Sequence, residues 1–282
     1  MTDAAAEPPL ARGRSGVVAA LWASTHPGPT LVVTVLSLAL GVAAGVETWS
    51  LVLLVLAVFA GQVSVGLSND AIDAARDAAV GRTDKPIAGG AVAAGRALAV
   101  GVGAVVIALL LSVPLGPGFV AAHAIALASA WAYNAGLKST PFSIAPFLLS
   151  FGLFPSFAPL SSAAPALAAP WATAAGAALG AAVHLTNVVR DLDDDRRTGI
   201  HGLPHRLGAR PSVLLAAVGI VIGALAVLLG AGVSVIGLVF FAAVAAVALA
   251  TVVRVLVRPP GRAVFQLTML AALLLATQLV VA

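Results

Sequence analysis

The sequence predicts an all-α fold: a polytopic membrane bundle of about nine transmembrane helices around a central cavity, with two aspartate-rich cytoplasmic helix-loop segments. Three observations carry this reading. Hydrophobic residues make up 61% of the chain and charged residues 9%, against about 25% charged in soluble domains, so too few polar residues exist to cover a soluble core. The apolar stretches run to roughly 18 residues or more, the length that crosses a bilayer as helix. Positive charge, finally, is confined to alternate loops.

The apolar segments fall at about 29–46, 49–68, 91–112, 118–137, 141–158, 171–190, 211–229, 232–253 and 263–281. The first reaches back toward Val17, with a kink expected at His26-Pro27-Gly28-Pro29, because proline removes a backbone donor and clashes with the preceding turn. The Ala/Gly-rich run Ala172–Ala182 lets neighbouring helices approach closely. Residues 1–15 hold Arg12, Arg14, Pro8 and Pro9 without a cleavable apolar core and read as a cytoplasmic tail. Residues 16–282 then form a single transmembrane domain.

With nine spans, the loops alternate sides. All 15 Lys and Arg residues fall in or at the edge of five places: the N-terminus, the 69–90 loop, the stretch near Lys138, the 187–210 loop and the 254–262 loop. Loops near Glu47, Pro114–Gly118, Ser161–Pro170 and Gly230 carry none. The positive-inside rule therefore places the N-terminus and both long polar loops in the cytoplasm. The net charge of +4 is a topology signal on this reading, not a basic face for nucleic acid. Without cysteine, disulfide frameworks and thiolate metal sites are excluded.

Eight of the 11 acidic residues lie in two windows that form an internal repeat. Asn69, Asp73, Asp77, Gly81 and Pro86 recur as Asn187, Asp191, Asp195, Gly199 and Pro204, each pair 118 residues apart. Such a repeat suggests two related helical units facing each other across the cavity. Spacing by four keeps side chains on one helix face, so each Asn-Asp-Asp set presents a column of oxygen ligands. Four clustered aspartates repel one another unless cations intervene. Hard oxygen donors suit Mg2+, which binds one or two carboxylates together with substrate phosphates. Arg76, Arg82, Lys85, Arg196 and Arg197 supply further positive charge for a phosphate ligand. The competing reading is a solvated loop whose acids and bases pair off, which leaves the shared register unexplained. Asp70, Asp193 and Asp194 stand outside the repeated columns and read as supporting or solvent-facing.

Asn69-Asp70-x-x-Asp73-x-x-x-Asp77, with Arg82-Thr83-Asp84-Lys85-Pro86 and Gly90, resembles the first aspartate-rich motif of the UbiA superfamily of intramembrane prenyltransferases. Asp191-x-x-x-Asp195, with Gly199, Leu203-Pro204 and Gly208, resembles the second, and Tyr133-Asn-Ala-Gly-Leu-Lys138 resembles the family's Tyr/Lys segment. The resemblance covers about residues 25–210. It implies an enzyme that uses Mg2+, held by Asn69, Asp73, Asp77, Asn187, Asp191 and Asp195, to ionise an isoprenoid diphosphate. Arg82, Lys85, Lys138 and Arg197 would then stabilise the departing diphosphate, and Tyr133 would donate a hydrogen bond to it. The allylic carbocation passes to a lipophilic acceptor, with the prenyl tail drawn sideways from membrane lipid.

One departure bears on the acceptor. Many relatives carry a basic residue where this chain has His26 before Pro27. If His26 contacts the acceptor, a carboxylated aromatic loses its cationic partner; otherwise it is a structural residue at a kink. His184, three residues before Asn187, reads either as functional or as a helix-packing histidine. His123 reads as a residue of the far membrane interface. His201 and His205 sit in the cytoplasmic loop among acids; they could serve a metal, although their spacing does not demand it. Phe147, Phe151, Phe154 and Phe157 form a helical stripe that packs in the core, faces lipid or lines a prenyl tunnel.

Two other functions compete. A membrane terpene cyclase would share the ionisation step and capture the cation internally. A transporter would require polar residues near the bilayer midplane, whereas here they crowd one edge.

Overall fold

The computed structural model describes residues 14–82, 84–190, 192, 199–258 and 261–282. Asp191, Asp195, Arg196 and Arg197, together with the tail 1–13, lie outside them. Among the described residues the chain is helical, with no strand.

The helices follow the apolar segments. They are α1 (Arg14–Ala23), α2 (Pro27–Ala43), α3 (Thr48–Ala79), α4 (Ala94–Ser112), α5 (Pro117–Ala135), α6 (Ala145–Leu153), α7 (Phe157–Leu160), α8 (Pro170–Asn187), α9 (Leu203–Leu207), α10 (Ala209–Gly230), α11 (Val235–Val257) and α12 (Arg262–Val281). Proline opens α2, α5 and α8, where its missing N–H is no loss. Pro155 breaks the fifth apolar segment into α6 and α7 through a 3-10 turn at Phe154–Ser156. The expected kink is present: α1 and α2 meet at His26, bent by 67°. α3 runs well past its apolar portion, so Asn69, Asp70, Asp73 and Asp77 all stand on the helix, while Asp84 and Lys85 lie in the loop beyond it.

Five helices are long and apolar enough to cross a membrane, namely α3, α4, α10, α11 and α12, and the bent α1–α2 pair makes a sixth. α5 and α8 have 19 and 18 residues. Their hydropathy is diluted by polar residues that line the central cavity, including His123, Tyr133 and Asn134 on α5 and His184 and Asn187 on α8. Large aliphatic side chains such as Leu110, Ile107, Leu249 and Leu256 are exposed around the perimeter. Exposed large aliphatic side chains on so many helices fit a lipid surround.

The packing order repeats. α2 packs on α3 and α3 on α4; in the same way α6 packs on α8 and α8 on α10. These triplets match the two halves of the sequence repeat. α5 joins α3 to α6, and α12 packs on α8, α10 and α2, closing the ring. Within the second triplet the approach is backbone to backbone. A Cβ added at Gly176 or Gly180 would run into the carbonyl oxygens of Phe151 and Phe147 on α6. That bears out the reading of the Ala172–Ala182 run.

Candidate active site

The ring of helices encloses a cavity of about 570 Å³, polar at one end and apolar at the other. The polar end is built on α3. Asn69, Asp73 and Asp77 stand on one face, with Asp73 and Asp77 both buried. They are not bare acids. Arg76 Nη2 donates to Asp73 Oδ2 at 2.7 Å and reaches Asp77 Oδ1 at 3.7 Å. Lys138, in the 3-10 turn Leu137–Ser139 after α5, donates to Asp73 Oδ1. Lys85, from the loop after α3, lies 2.8 Å from Asp77 Oδ2 and 3.1 Å from Asp70 Oδ1. Carboxylates so close stay ionised in a poorly solvated site only with cations against them.

The two lysines differ electrostatically. Burial, the largest influence on each, disfavours the ammonium. For Lys138 it outweighs Asp73, and the pKa lies below the ordinary lysine value. For Lys85 the carboxylates of Asp77 and Asp70 outweigh it, and the pKa is raised. Arg82 grips Asp84 with two 2.8 Å hydrogen bonds, which hold the Asp84 carboxyl down to about 2.

Asp70, expected to support the columns or face solvent, is buried. It accepts from His26 Nε2 at 3.0 Å and from Asn69 Nδ2 at 3.3 Å. His26 itself has φ 55° and ψ 69°, the one non-glycine residue at positive φ among the described residues. Such a conformation is costly for a side chain with a Cβ and persists where the surroundings enforce it. Here they do, because Gly66 on α3 lets the Thr25 backbone press against the helix with no room for a Cβ.

Tyr133 and His184 complete the wall between the polar and apolar parts. The Tyr133 ring meets Phe147 edge-on at 5.1 Å and His184 at 5.8 Å. His184 is buried, and its Nε2 lies 3.0 Å from Ser143 Oγ, which also accepts from the Leu203 N–H. This joins α8 to the turn after α5 and to α9. Asn187 lines the cavity at the end of α8, as do Arg82, His205 and His26. All four members of the Phe147–Phe157 stripe line it as well.

His123 departs from expectation. It is buried rather than interfacial, packed between Phe119 and Phe157, because the 118–137 segment turns this face toward the cavity. Asn134 was not legible as a functional position. Its Nδ2 donates to Val65 O at 3.0 Å and Ser68 Oγ at 2.9 Å, and Trp131 Nε1 donates to Ser64 Oγ at 2.8 Å. These bonds fix the end of α5, and so Lys138, against α3. Nothing in the residues themselves marks such a clamp. Adjacency to Tyr133 was the only signal.

The described residues contain no group of three or more His, Asp or Glu gathered for a metal ion. The second aspartate column, at Asp191 and Asp195, falls outside them. The donors that are described, Asn69, Asp73 and Asp77, are hard oxygen ligands of the type Mg2+ takes alongside phosphate.

No curated protein matches the sequence. Solved structures do match the fold. A UbiA homolog from Aeropyrum pernix K1 has TM-score 0.73 and 17% identity, over 90% of this chain and 98% of that one. A UbiA homolog from Archaeoglobus fulgidus, bound to GPP and Mg2+, has TM-score 0.69 and 16% identity, over 92% and 98%. A digeranylgeranylglyceryl phosphate synthase has TM-score 0.70 and 13% identity, over 94% and 98%. At such identities the likeness is one of fold. The UbiA prenyltransferase family itself matches residues 30–276, nearly the whole helical ring and its aspartate-lined cavity, and the chain belongs to that family.

Proposed function

We propose that this protein is a Mg2+-dependent intramembrane prenyltransferase that ionises an isoprenoid diphosphate and passes its allylic group to a lipophilic acceptor. The observation that carries the reading is the union, in one cavity, of an Asn-Asp-Asp column with two buried aspartates, flanked by lysines, with an aromatic wall. Asn69, Asp73 and Asp77 would hold the metal together with Asn187, Asp191 and Asp195. The A. fulgidus homolog binds GPP or DMAPP with Mg2+, which supports a metal-dependent prenyl diphosphate site here. When bound, Mg2+ offsets the negative charge that develops on the leaving diphosphate.

The chain's own residues do the rest. Lys138 and Lys85, now paired with Asp73 and Asp77, would bind diphosphate oxygens together with Arg82 and Arg197, and Tyr133 would donate a hydrogen bond. Cleavage of the C1–O bond sends its electron pair to the diphosphate oxygen and leaves an allylic cation. The rings of Tyr133 and Phe147, which line the cavity, would stabilise that charge. The acceptor's electron pair then forms the bond to C1, and the proton it gives up passes to the released diphosphate. His26, tied to Asp70, would face the acceptor. We assign the nine apolar segments as nine spans, with the N-terminus and both aspartate windows in the cytoplasm. The acceptor is then a membrane-soluble aromatic or lipid.

The test is release of inorganic diphosphate from geranyl, farnesyl and geranylgeranyl diphosphates by purified protein, with Mg2+ and with excess chelator. Metal-dependent release is expected, and its absence would remove the reading. A cyclic hydrocarbon or alcohol formed without acceptor would shift the assignment to a membrane terpene cyclase. Lys138→Ala should raise KM for the diphosphate by roughly tenfold, about the worth of one charge-assisted hydrogen bond. Unchanged kinetics would take Lys138 out of the site.

A further inference from the structure

The apolar end of the cavity closes on a polar residue, which the proposed chemistry does not use. His123 lines the cavity in an aromatic cluster, with ring centroids 5.5 Å from both Phe119 and Phe157, and Phe154 5.6 Å from Phe157. Its tautomer follows from its partner. Ser112 Oγ donates its one proton to Ala108 O at 2.7 Å, so at 2.9 Å from His123 Nδ1 it accepts. The neutral ring therefore carries its proton on Nδ1 and presents a lone pair at Nε2. Among the described residues the ring's one hydrogen bond is the one at Nδ1. Room for the ring exists because residue 61 is glycine, where a Cβ would lie 2.9 Å from Nε2.

The distance from this ring to the polar end follows from helix rise. His123 precedes Tyr133 by ten residues on α5, and Gly61 precedes Asp73 by twelve on α3, or roughly 15 and 18 Å at about 1.5 Å per residue. An isoprene unit contributes four chain bonds of about 1.5 Å, roughly 5 Å along the zigzag. Three units reach from the diphosphate site to His123, and a fourth meets the ring. Hydrocarbon pressed against Nε2 would strip it of water and offer no donor in exchange.

We infer that His123, backed by Ser112 and set between Phe119 and Phe157, is the floor of the prenyl tunnel and limits the donor to about three isoprene units. The inference rests on the prenyl diphosphate reading and sharpens its substrate class to C10–C15 chains. A second apolar direction exists: a crevice that shares Phe151 and Phe154 with the cavity runs between α2 and α12, past Leu36, Leu40 and Leu279. A tail lying there would never meet His123.

The experiment measures Mg2+-dependent diphosphate release from geranyl, farnesyl and geranylgeranyl diphosphates in the wild type and His123→Ala. In the wild type the C20 KM is expected at least about tenfold above the C15 value, about 1.4 kcal/mol. His123→Ala should bring the two within about threefold. Ser112 keeps its bond to Ala108 in that variant. Equal C15 and C20 constants in the wild type, or an unchanged ratio in the variant, would overturn the inference while sparing the enzyme reading. No release with any chain would defeat both. A second measurement needs no variant. Farnesyl diphosphate with a diazirine at its far end should label the peptide containing Phe119 and His123. Labelling of Leu36–Leu40 or Ala276–Val280 instead would assign the tail to the crevice and overturn the floor.

Discussion

Asp73→Ala loses magnesium-dependent diphosphate release by roughly 10²–10³-fold, the scale seen when one preorganised electrostatic group is removed from an active site. Asp73 is buried, accepts from Arg76 at 2.7 Å and pairs with Lys138. Its loss removes a proposed metal ligand and, at the same time, frees a half-desolvated lysine from its partner. Breaking a buried pair on one side costs about 3–5 kcal/mol, less here because the pair borders an open cavity. Some thermal destabilisation should therefore accompany the activity loss, and the two must be read apart. Asp73→Asn keeps the shape and one oxygen but not the charge. It should fold with a melting temperature nearer the wild type and still release little diphosphate. The readouts are diphosphate release and a thermal melt of detergent-purified protein. More than half the wild-type rate in folded Asp73→Ala would remove the residue from the metal site.

Gly66→Ala is expected to act without touching any reacting group. The added methyl has no room against the Thr25 carbonyl, and the obstacle is backbone rather than a side chain that can swing aside. Overpacking of this sort costs about 1–3 kcal/mol. The least stable feature nearby is His26, already held at positive φ. The elbow should yield there, parting His26 from Asp70 and removing one of the side chains that hold that carboxylate. A drop of several degrees in melting temperature is expected, with diphosphate release reduced and the response to acceptor reduced further. Wild-type stability with unchanged kinetics would mean that the elbow is slack and that His26 owes its conformation to something else.

The same pair of residues shows what could be read in advance. His26-Pro27-Gly28-Pro29 announces a kink, because proline cannot donate within a helix and biases the residue before it. It does not announce a left-handed histidine reaching across 44 residues to Asp70. Asp70 has no counterpart in the repeat, and the sequence leaves open whether it supports the column or faces solvent. Its burial depends on α3 extending as helix to Ala79, which turns its side chain inward beneath the loop that carries Lys85. His123 went the same way: one histidine in an apolar segment carries no period, and only the packing of α5 on α3 and α7 made it a cavity wall.

Local rules were sufficient for much of this protein. Composition established a lipid-exposed helical chain, apolar length located its helices, and spacing by four put Asn69, Asp73 and Asp77 on one face. The 118-residue repeat anticipated two triplets packed in the same order. These are properties of neighbours in sequence, governed by helix geometry and by transfer of apolar surface from water. What the chain alone left open was the pairing of charges and the shape of the cavity. Lys138 on Asp73, Lys85 bridging Asp70 and Asp77, His26 on Asp70 and the imidazole at the tunnel's end are contacts between segments far apart in sequence. Which cation meets which carboxylate depends on how helices cross. The crossing is decided by close approaches at Gly66, Gly176 and Gly180 and by bonds such as Asn134 to Ser68, and only the folded ring brings those together.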